Sequence, residues 1–380
     1  MDLILMSKTH VVHMSTVHNP YDTRILYREC TSLANNGYDV TLFTCSEKPV
    51  EAPGVQIITF PLPKSRMSRM TGTAFNFIRQ AYKCHADIYH FHDPELAPWM
   101  LLLRLVGKKV VFDVHENILG SISDRSWIPK PLQPLIFNVA KILLPLIMKP
   151  FSVVFAERSY PKAYTWVKDY EVVCNFPNID FFPAEIENTK FEKFSIVYVG
   201  SITEPRGIID TLDALSILQE RGLHIDFYLI GKSHLSGDKD LNKLISERNL
   251  KHVKVLGYTP QPEALKIVAK CHLGLAVLHP VQNYLLSYPT KIFEYMGCKT
   301  AFITSNFPLY QDVVNKWKCG ATIPPQDPLA LADKIEFYNN NTSLLIEMAE
   351  RGREAVESEF NWSIEEKNLL KLYDKILKSK

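Results

Sequence analysis

No two cysteines in this 380-residue chain are spaced as Cys-x-x-Cys. The seven present are Cys30, Cys45, Cys84, Cys174, Cys271, Cys298 and Cys319, an odd and scattered set. That argues against a disulfide framework and a zinc site, and it fits a reducing compartment. No run of about 18 consecutive apolar residues occurs, so no membrane-spanning helix is expected. The first residues carry Asp2 and Lys8 around a very short apolar run, unlike a secretory signal. A Gly-x-Ser-x-Gly elbow is missing too, which disfavours a Ser/His/Asp hydrolase. The formal net charge is only +2, too little for nucleic acid to be the main partner.

The composition is that of a globular protein, with 46% hydrophobic and 22% charged residues. At about 100–200 residues per domain the length suggests two domains. The charge is unevenly divided. Residues 1–175 hold 19 Lys/Arg against 15 Asp/Glu, a net of +4, and the remainder holds 24 against 26, a net of −2.

Short β-branched runs alternate with helical patterns. Strands are expected at His10–Thr16, Asp39–Thr44, Val55–Phe60, Asp87–Phe91 and Lys109–Val114. Helices are expected at Thr23–Asn35, stopped by Gly37, and near Glu95–Leu105. The alternation restarts after residue 175, with strands at Ser195–Val199, His224–Ile230, Val253–Leu256, Leu273–Val277 and Thr300–Thr304. Helices are expected between them at Gly207–Glu220, Leu241–Asn249, Pro262–Lys270 and Thr290–Met296. This punctuation predicts two α/β domains with parallel sheets covered on both faces, joined by a linker within Asn175–Lys190. Ligands of open parallel sheets bind at the carboxyl ends of the strands, so the strand exits and the cleft between two such domains carry the functional question.

The sharpest exit is Val197-Tyr198-Val199-Gly200-Ser201, which runs through Glu204-Pro205-Arg206-Gly207 into a helix. Arg206 can fork onto phosphate oxygens there. Pro289 opens a second helix, where the backbone N–H groups of Thr290 and Lys291 would face an anion. Glu294 sits one turn further, in reach of a ribose diol. Each feature alone suits a solvated surface residue; together they favour a nucleoside diphosphate site.

Other segments carry the rest of the pattern: His18-Asn19-Pro20-Tyr21-Asp22-Thr23-Arg24-Ile25, then Tyr89-His90-Phe91-His92-Asp93-Pro94-Glu95 and Phe112-Asp113-Val114-His115-Glu116. With the Gly200–Gly207 loop, the Pro289–Met296 helix and Thr304-Ser305-Asn306-Phe307-Pro308, the chain resembles glycosyltransferase family 4 over nearly its whole length. The resemblance implies the GT-B fold: two Rossmann-like domains, here 1–175 for the acceptor and 176–360 for the nucleotide sugar. A C-terminal helix within 361–380 would cross back to the first domain. It also implies a retaining transferase that uses a UDP- or GDP-sugar and needs neither cofactor nor metal.

Carried over by position, His115, Arg206 and Glu294 are the catalytic candidates. Gly200, Ser201, Arg206, Lys232, Thr290, Lys291 and Glu294 are the donor-binding candidates. Asp22, Arg24, His92, Asp93 and Glu95 would stand on the acceptor side. Two positions depart from the family pattern. Leu286 stands where the first Glu of Glu-x₇-Glu belongs, with Asn283 and Ser287 nearby as hydrogen-bonding substitutes. Ser201 stands where a phosphate-loop Arg is common. Asp238-Lys239-Asp240 reads as a surface turn and helix cap rather than a metal-binding pair. The histidines at 90, 92 and 115 with Asp93 read as a cleft floor rather than a metal site. A non-catalytic scaffold subunit and a sugar-nucleotide epimerase on the same fold remain open alternatives.

The positive charge of the first half is concentrated. Residues 52–86 hold no acid but carry Lys64, Arg66, Arg69, Arg79 and Lys83 among Met67, Met70, Phe75, Phe77 and Ile78. Residues 126–156 also hold no acid, and there Asn138, Lys141, Pro145 and Lys149 make a narrow polar stripe on an apolar helix. Such a helix either lies in a membrane interface or is buried in the domain core. The first reading gives a cytoplasmic protein, peripheral on an anionic membrane surface, that acts on a lipid-linked glycan acceptor in surface polysaccharide assembly.

Overall fold

The computed structural model describes residues 8–124, 128–183, 190–237 and 240–378. The chain divides into two compact units, residues 1–175 with 362–380, and residues 176–361.

The first unit is a parallel sheet of seven strands among the described residues: β1 (His10–Met14), β2 (Asp39–Cys45), β3 (Val55–Phe60), β4 (Ile88–Phe91), β5 (Lys109–Val114), β6 (Ser152–Phe155) and β7 (Tyr170–Val172). Their spatial order is β3-β2-β1-β4-β5-β6-β7. The central strands are buried on both faces, because helices cover both, and they carry buried His13, His90 and Asp113 beside their apolar residues. Val11, Val12, Ile88, Tyr89, Val111 and Phe112 are all buried. The C-terminal helix Trp362–Lys378 adds Trp362, Leu369, Leu372, Tyr373 and Ile376 to this core. The strand order reverses direction between β1 and β4, so the crevice for a ligand opens beyond Met14 and Phe91.

The helix expected from Thr23 begins instead as a π-helical segment, Ile25–Cys30, and continues as an α-helix over Thr31–Asn35. The wider turn lets Glu29 N–H bond Arg24 C=O at 2.9 Å, which sets both side chains on the inner face.

The second unit is a parallel sheet of six strands among the described residues: β8 (Ser195–Val199), β9 (Asp226–Ile230), β10 (Val253–Gly257), β11 (Leu273–Ala276), β12 (Ala301–Ser305) and β13 (Gly320–Ile323). The order β10-β9-β8-β11-β12-β13 places its reversal between β8 and β11. Gly207 closes the loop after β8 at φ +73°, and a Cβ there would lie 1.9 Å from Val277 O at the exit of β11. Only glycine brings these two exits together. Asp240 caps the helix Leu241–Glu247, its carboxylate accepting from Lys243 N–H at 2.9 Å. Residues 238 and 239 lie outside the described set, as do 184–189 of the expected linker.

The helix Gln133–Met148 is not a core helix. Only Leu144 and Met148 are buried, while Leu135, Val139, Ile142, Leu143 and Leu146 are exposed at 46–68%. Their spacing of 4, 3, 1 and 3 residues puts them on one face. Lys130–Met148 is 19 residues long and contains an 18-residue window of mean hydropathy 1.5, long and apolar enough by length and composition to cross a membrane.

Candidate functional site

Two sites form at the strand exits, one in each unit. In the first unit a cavity of about 400 Å³ opens at the reversal point, with His18, His92, Asp93, Glu95, His115 and Glu116 on its polar side. That volume suits a small organic ligand. Arg66 and Arg69 add two guanidiniums, and Glu95 holds Arg69 in a fork at 2.6 and 2.8 Å. Ile118, Ile122, Ile128 and Ile136 form an apolar wall, and Ile136 belongs to the exposed apolar helix.

Asp93 ties the two strand exits together. It accepts from Thr16 N–H at 2.5 Å and from the hydroxyls of Thr16 and Ser15. His18 lies 3.4 Å from Asp22 and 3.7 Å from Asp93. Burial opposes the charge on His18, but the Asp22 hydrogen bond and the Asp93 charge outweigh it and raise the His18 pKa. Asp22 itself caps the turn, accepting from Arg24 and Ile25 N–H.

Arg24 does not line the cavity. It is buried, with Nε 2.9 Å and Nη2 3.0 Å from the two oxygens of Asp113, Nη1 2.8 Å from Val173 O, and Nε 3.0 Å from Glu29. Burial opposes ionisation of Asp113, yet Arg24 and His115 hold its carboxyl well below the usual carboxylate range. Burial, followed by the Asp113 charge, pushes Glu29 well above its ordinary value. Arg24 therefore works through Asp113, which in turn takes His115 Nε2 at 2.7 Å.

Glu29, His90, His92 and Asp113 offer ligand atoms within 4.8 Å of one another. The guanidinium fork already occupies Asp113, and both nitrogens of His92 face other partners in the cluster. This donor set does not fit a resident metal. Spacing marked His90 and His92 as a cleft floor; His92 lines the cavity, whereas His90 lies fully buried behind it.

In the second unit a cavity of about 200 Å³ is lined by Arg206, Asn283, Tyr284, Ser287, Thr290 and Lys291, among others. Arg206 ends the short turn Glu204–Arg206, with the Tyr198 and Tyr284 hydroxyls close to its guanidinium; the Tyr198 hydroxyl donates to Ser201 O at 2.6 Å. Thr290 is the first residue of the helix Thr290–Gly297, whose amino end carries free N–H groups and a positive dipole end.

Lys291 brings more than its backbone. Its side chain is buried, with Nζ 3.6 Å above the Tyr198 ring and without a hydrogen-bond partner among the described residues. Burial first, then Arg206, push its pKa well below the ordinary lysine value, against the pull of Glu294. Asn283 Oδ1 is likewise buried without a partner among the described residues. Asn283 lies in the helix Gln282–Leu286, and Ser287 donates to its carbonyl at 2.7 Å.

Glu294, Gly200, Ser201 and Lys232 do not line this cavity. Glu294 is half-buried in the helix Thr290–Gly297 and accepts from Gln261 Nε2 at 2.8 Å. Lys232 stands 5.3 Å from the Tyr258 ring centroid. Gly200 keeps the loop close to the basic pair: a Cβ there would lie 3.2 Å from Arg206 Nη1 and 3.6 Å from Lys291 Nζ.

Two family models match the chain. Glycosyl transferases group 1 matches residues 182–355, and Glycosyltransferase Family 4 matches residues 22–156. A capsular polysaccharide biosynthesis glycosyltransferase, CapM of Staphylococcus aureus, is 24% identical over 53% of this chain and 53% of its own length. An amylovoran biosynthesis glycosyltransferase, AmsK of Erwinia amylovora, is 22% identical over 70% of each. The matched stretches span about half the length of most of these curated relatives. Among solved structures, sucrose-phosphate synthase of Thermosynechococcus elongatus superposes with TM-score 0.78 at 19% identity, covering 97% of this chain and 99% of that one. HepE of Anabaena, in complex with UDP and glucose, superposes with TM-score 0.71 at 14% identity, covering 96% and 99%. The shared architecture is the GT-B fold.

Proposed function

The chain belongs to glycosyltransferase family 4, and from that premise we propose that it moves a sugar from a UDP- or GDP-sugar to a glycan acceptor, with retention of configuration. The observation that carries this reading is the second-unit cavity. There a guanidinium, a buried lysine amine and a helix amino end converge on one small volume. The costly event in the transfer is charge build-up on the departing diphosphate. Donors already aimed at that charge stabilise the transition state more than the ground state. Arg206, Lys291 and the N–H groups at Thr290 fill that role, and Glu294 takes the ribose hydroxyls. Asn283 Oδ1 is an unengaged acceptor for a sugar hydroxyl, where Leu286 offers none.

His115 faces the first-unit cavity and acts on the sugar or the acceptor hydroxyl. No carboxylate is singled out as a nucleophile, so the leaving diphosphate assists the incoming hydroxyl on the same face.

Release of nucleotide from UDP- and GDP-sugars, with and without acceptor, tests the assignment. Glu294→Ala is expected to lower release roughly 10–100-fold, the worth of a hydrogen bond to a charged group. Unchanged turnover in that variant would sink the ribose assignment. No release from any donor would favour the scaffold alternative.

The acceptor in this reading is amphiphilic and lipid-linked. The isoleucine wall of the first-unit cavity leads onto the exposed face of Gln133–Met148. The packed helix Ala97–Leu105 and the next residue add exposed Leu102, Leu105 and Val106. Lys141 sits mid-helix, which is costly at a bilayer centre but favourable at headgroup level. The helix therefore lies in the interface of an anionic, cytoplasmic membrane face. The seven free thiols suit that reducing side. Co-sedimentation with anionic vesicles is expected, and the double variant Leu135→Glu, Ile142→Glu is expected to weaken it at least about tenfold. Equal sedimentation of the variant would overturn the membrane reading.

A further inference from the structure

A file of histidines crosses the first unit behind His115. β1 and β4 pair His13 with His90, and His92 follows two residues on, toward the same face. The ring centroids of His13 and His90 are 4.5 Å apart, and those of His90 and His92 4.8 Å. Tyr373 of the C-terminal helix closes one end. Its hydroxyl lies 2.8 Å from His90 Nδ1 and 3.2 Å from His13 Nε2. His13 Nδ1 lies 3.0 Å from His92 Nε2, and His92 Nδ1 lies 3.2 Å from Asp113 Oδ2. His115 Nε2 reaches the same oxygen at 2.7 Å.

One anion sets the direction of every proton in this file. Asp113 is held ionised by Arg24, so it only accepts. The two ring nitrogens that face it therefore donate: His115 Nε2–H and His92 Nδ1–H, which lie 3.1 Å apart and, each turning its proton to the carboxylate, share no hydrogen bond with one another. A neutral imidazole has one N–H, so His92 Nε2 must accept, and its donor is His13 Nδ1–H. His13 Nε2 then accepts from the Tyr373 hydroxyl, whose oxygen accepts from His90 Nδ1–H. Burial keeps His13, His90 and His92 neutral, which the scheme requires. Glu29 faces His13 at 3.9 Å and His90 at 4.0 Å, beyond hydrogen-bond reach, and burial raises its pKa, so it does not take either ring's proton. His18 faces His115 from the loop after β1, with ring centroids 4.9 Å apart, and Asp93 faces His18. The file ends with the lone pair of His115 on Nδ1.

We propose that Tyr373 and His13 are positioning residues for His115: by supplying the donor to His92 Nε2 they keep His92 Nδ1–H on Asp113, the carboxylate that directly holds the His115 ring with Nε2 protonated and Nδ1 bare. The part given to His115 rests on the transferase reading above; the proton order does not. Without the Tyr373 hydroxyl, His13 is free to move its proton to Nε2; His92 Nε2 then loses its donor, and the His92 hydrogen bond that steadies Asp113 is weakened. The C-terminal helix thereby shapes the chemistry of a residue 258 positions earlier.

The test is long-range proton–nitrogen correlation NMR on the full chain with ¹⁵N-labelled histidine, alongside donor kinetics. The expected pattern is Nδ1–H for His13, His90 and His92, and Nε2–H for His115. Tyr373→Phe is expected to mix the tautomers of His13 and His92. It should also lower kcat roughly two- to tenfold, the net worth of one hydrogen bond, with KM for the nucleotide sugar unchanged. His13→Leu is expected to reproduce that loss. His13→Asn, whose amide keeps a donor at the Nδ1 position, should restore kcat; a mere space-filling role would rank leucine above asparagine. Nε2–H at His92 in the unaltered protein, or unmixed tautomers in Tyr373→Phe, would overturn the proposal. A protein that releases no nucleotide from any sugar donor overturns the transferase reading instead, and the spectra still decide the proton order.

Discussion

Arg206→Ala is expected to lower kcat for nucleotide release by about 10²–10³-fold, with a much smaller change in KM for the nucleotide sugar. The size follows from removing one preorganised donor at a site of developing negative charge. The split follows from where the charge is: a bound diphosphate ester spreads its charge, while the departing diphosphate concentrates it, so the lost contact counts most in the transition state. Geometry makes Arg206 hard to replace. It ends a single turn closed by Gly207, whose missing Cβ lets that turn sit against Val277 O. The Tyr198 and Tyr284 hydroxyls lie beside the guanidinium. Arg206→Lys keeps a charge but loses the fork, and should recover only part of the rate. Steady-state kinetics with saturating donor measure the effect. A rise in KM alone, with kcat preserved, would mean that Arg206 binds the ground state and leaves the chemistry to other groups.

The strands that the sequence predicts best are those with the strongest apolar runs. Val55–Phe60, Lys109–Val114 and Ser195–Val199 form over the residues expected. Three strands carry no comparable signal. Ser152–Phe155 has four residues after a proline, Tyr170–Val172 has three, and Gly320–Ile323 begins with glycine. Sheet pairing, not local propensity, makes these extended.

The candidate sites divide in the same way. Arg206 and Thr290 are legible because a strand exit and a helix start are local patterns. His115, Asp93 and Glu95 line one cavity because the exits of β4 and β5 are adjacent. Arg24 was placed on the acceptor side by its motif, but the structure turns it inward, since the π-helical turn aims it at Asp113, 89 residues away. No spacing rule reaches from His13 to Tyr373, which are 360 residues apart. The apolar helix could be read as core or as interface from its pattern, and its exposure removes the core reading.

Lys291 carries the other large effect, and it reports the site without needing turnover. Its buried amine lies over the Tyr198 ring, and burial and Arg206 hold its pKa well down. A diphosphate at Arg206 and the helix amino end would add negative charge beside that amine and raise its pKa. Between the two values binding takes up a proton, so affinity for UDP or GDP falls as pH rises through that window. Titration calorimetry in buffers of different ionisation enthalpy should read uptake approaching one proton. Lys291→Met should abolish the uptake and weaken binding roughly 10–100-fold.

The same variant should be more stable. The unfolded chain binds the lysine proton up to its ordinary value near 10.5, while the folded chain gives it up at lower pH. The site therefore costs stability at neutral pH, and that cost shrinks as pH rises from the folded value toward 10.5. Removing a buried amine without a partner should raise unfolding stability at pH 7 by about 1–3 kcal/mol. A variant that binds worse and also unfolds more easily would mean that Lys291 holds the fold rather than the ligand. Opposite signs for binding and stability are what an anion site built at the expense of the core must show.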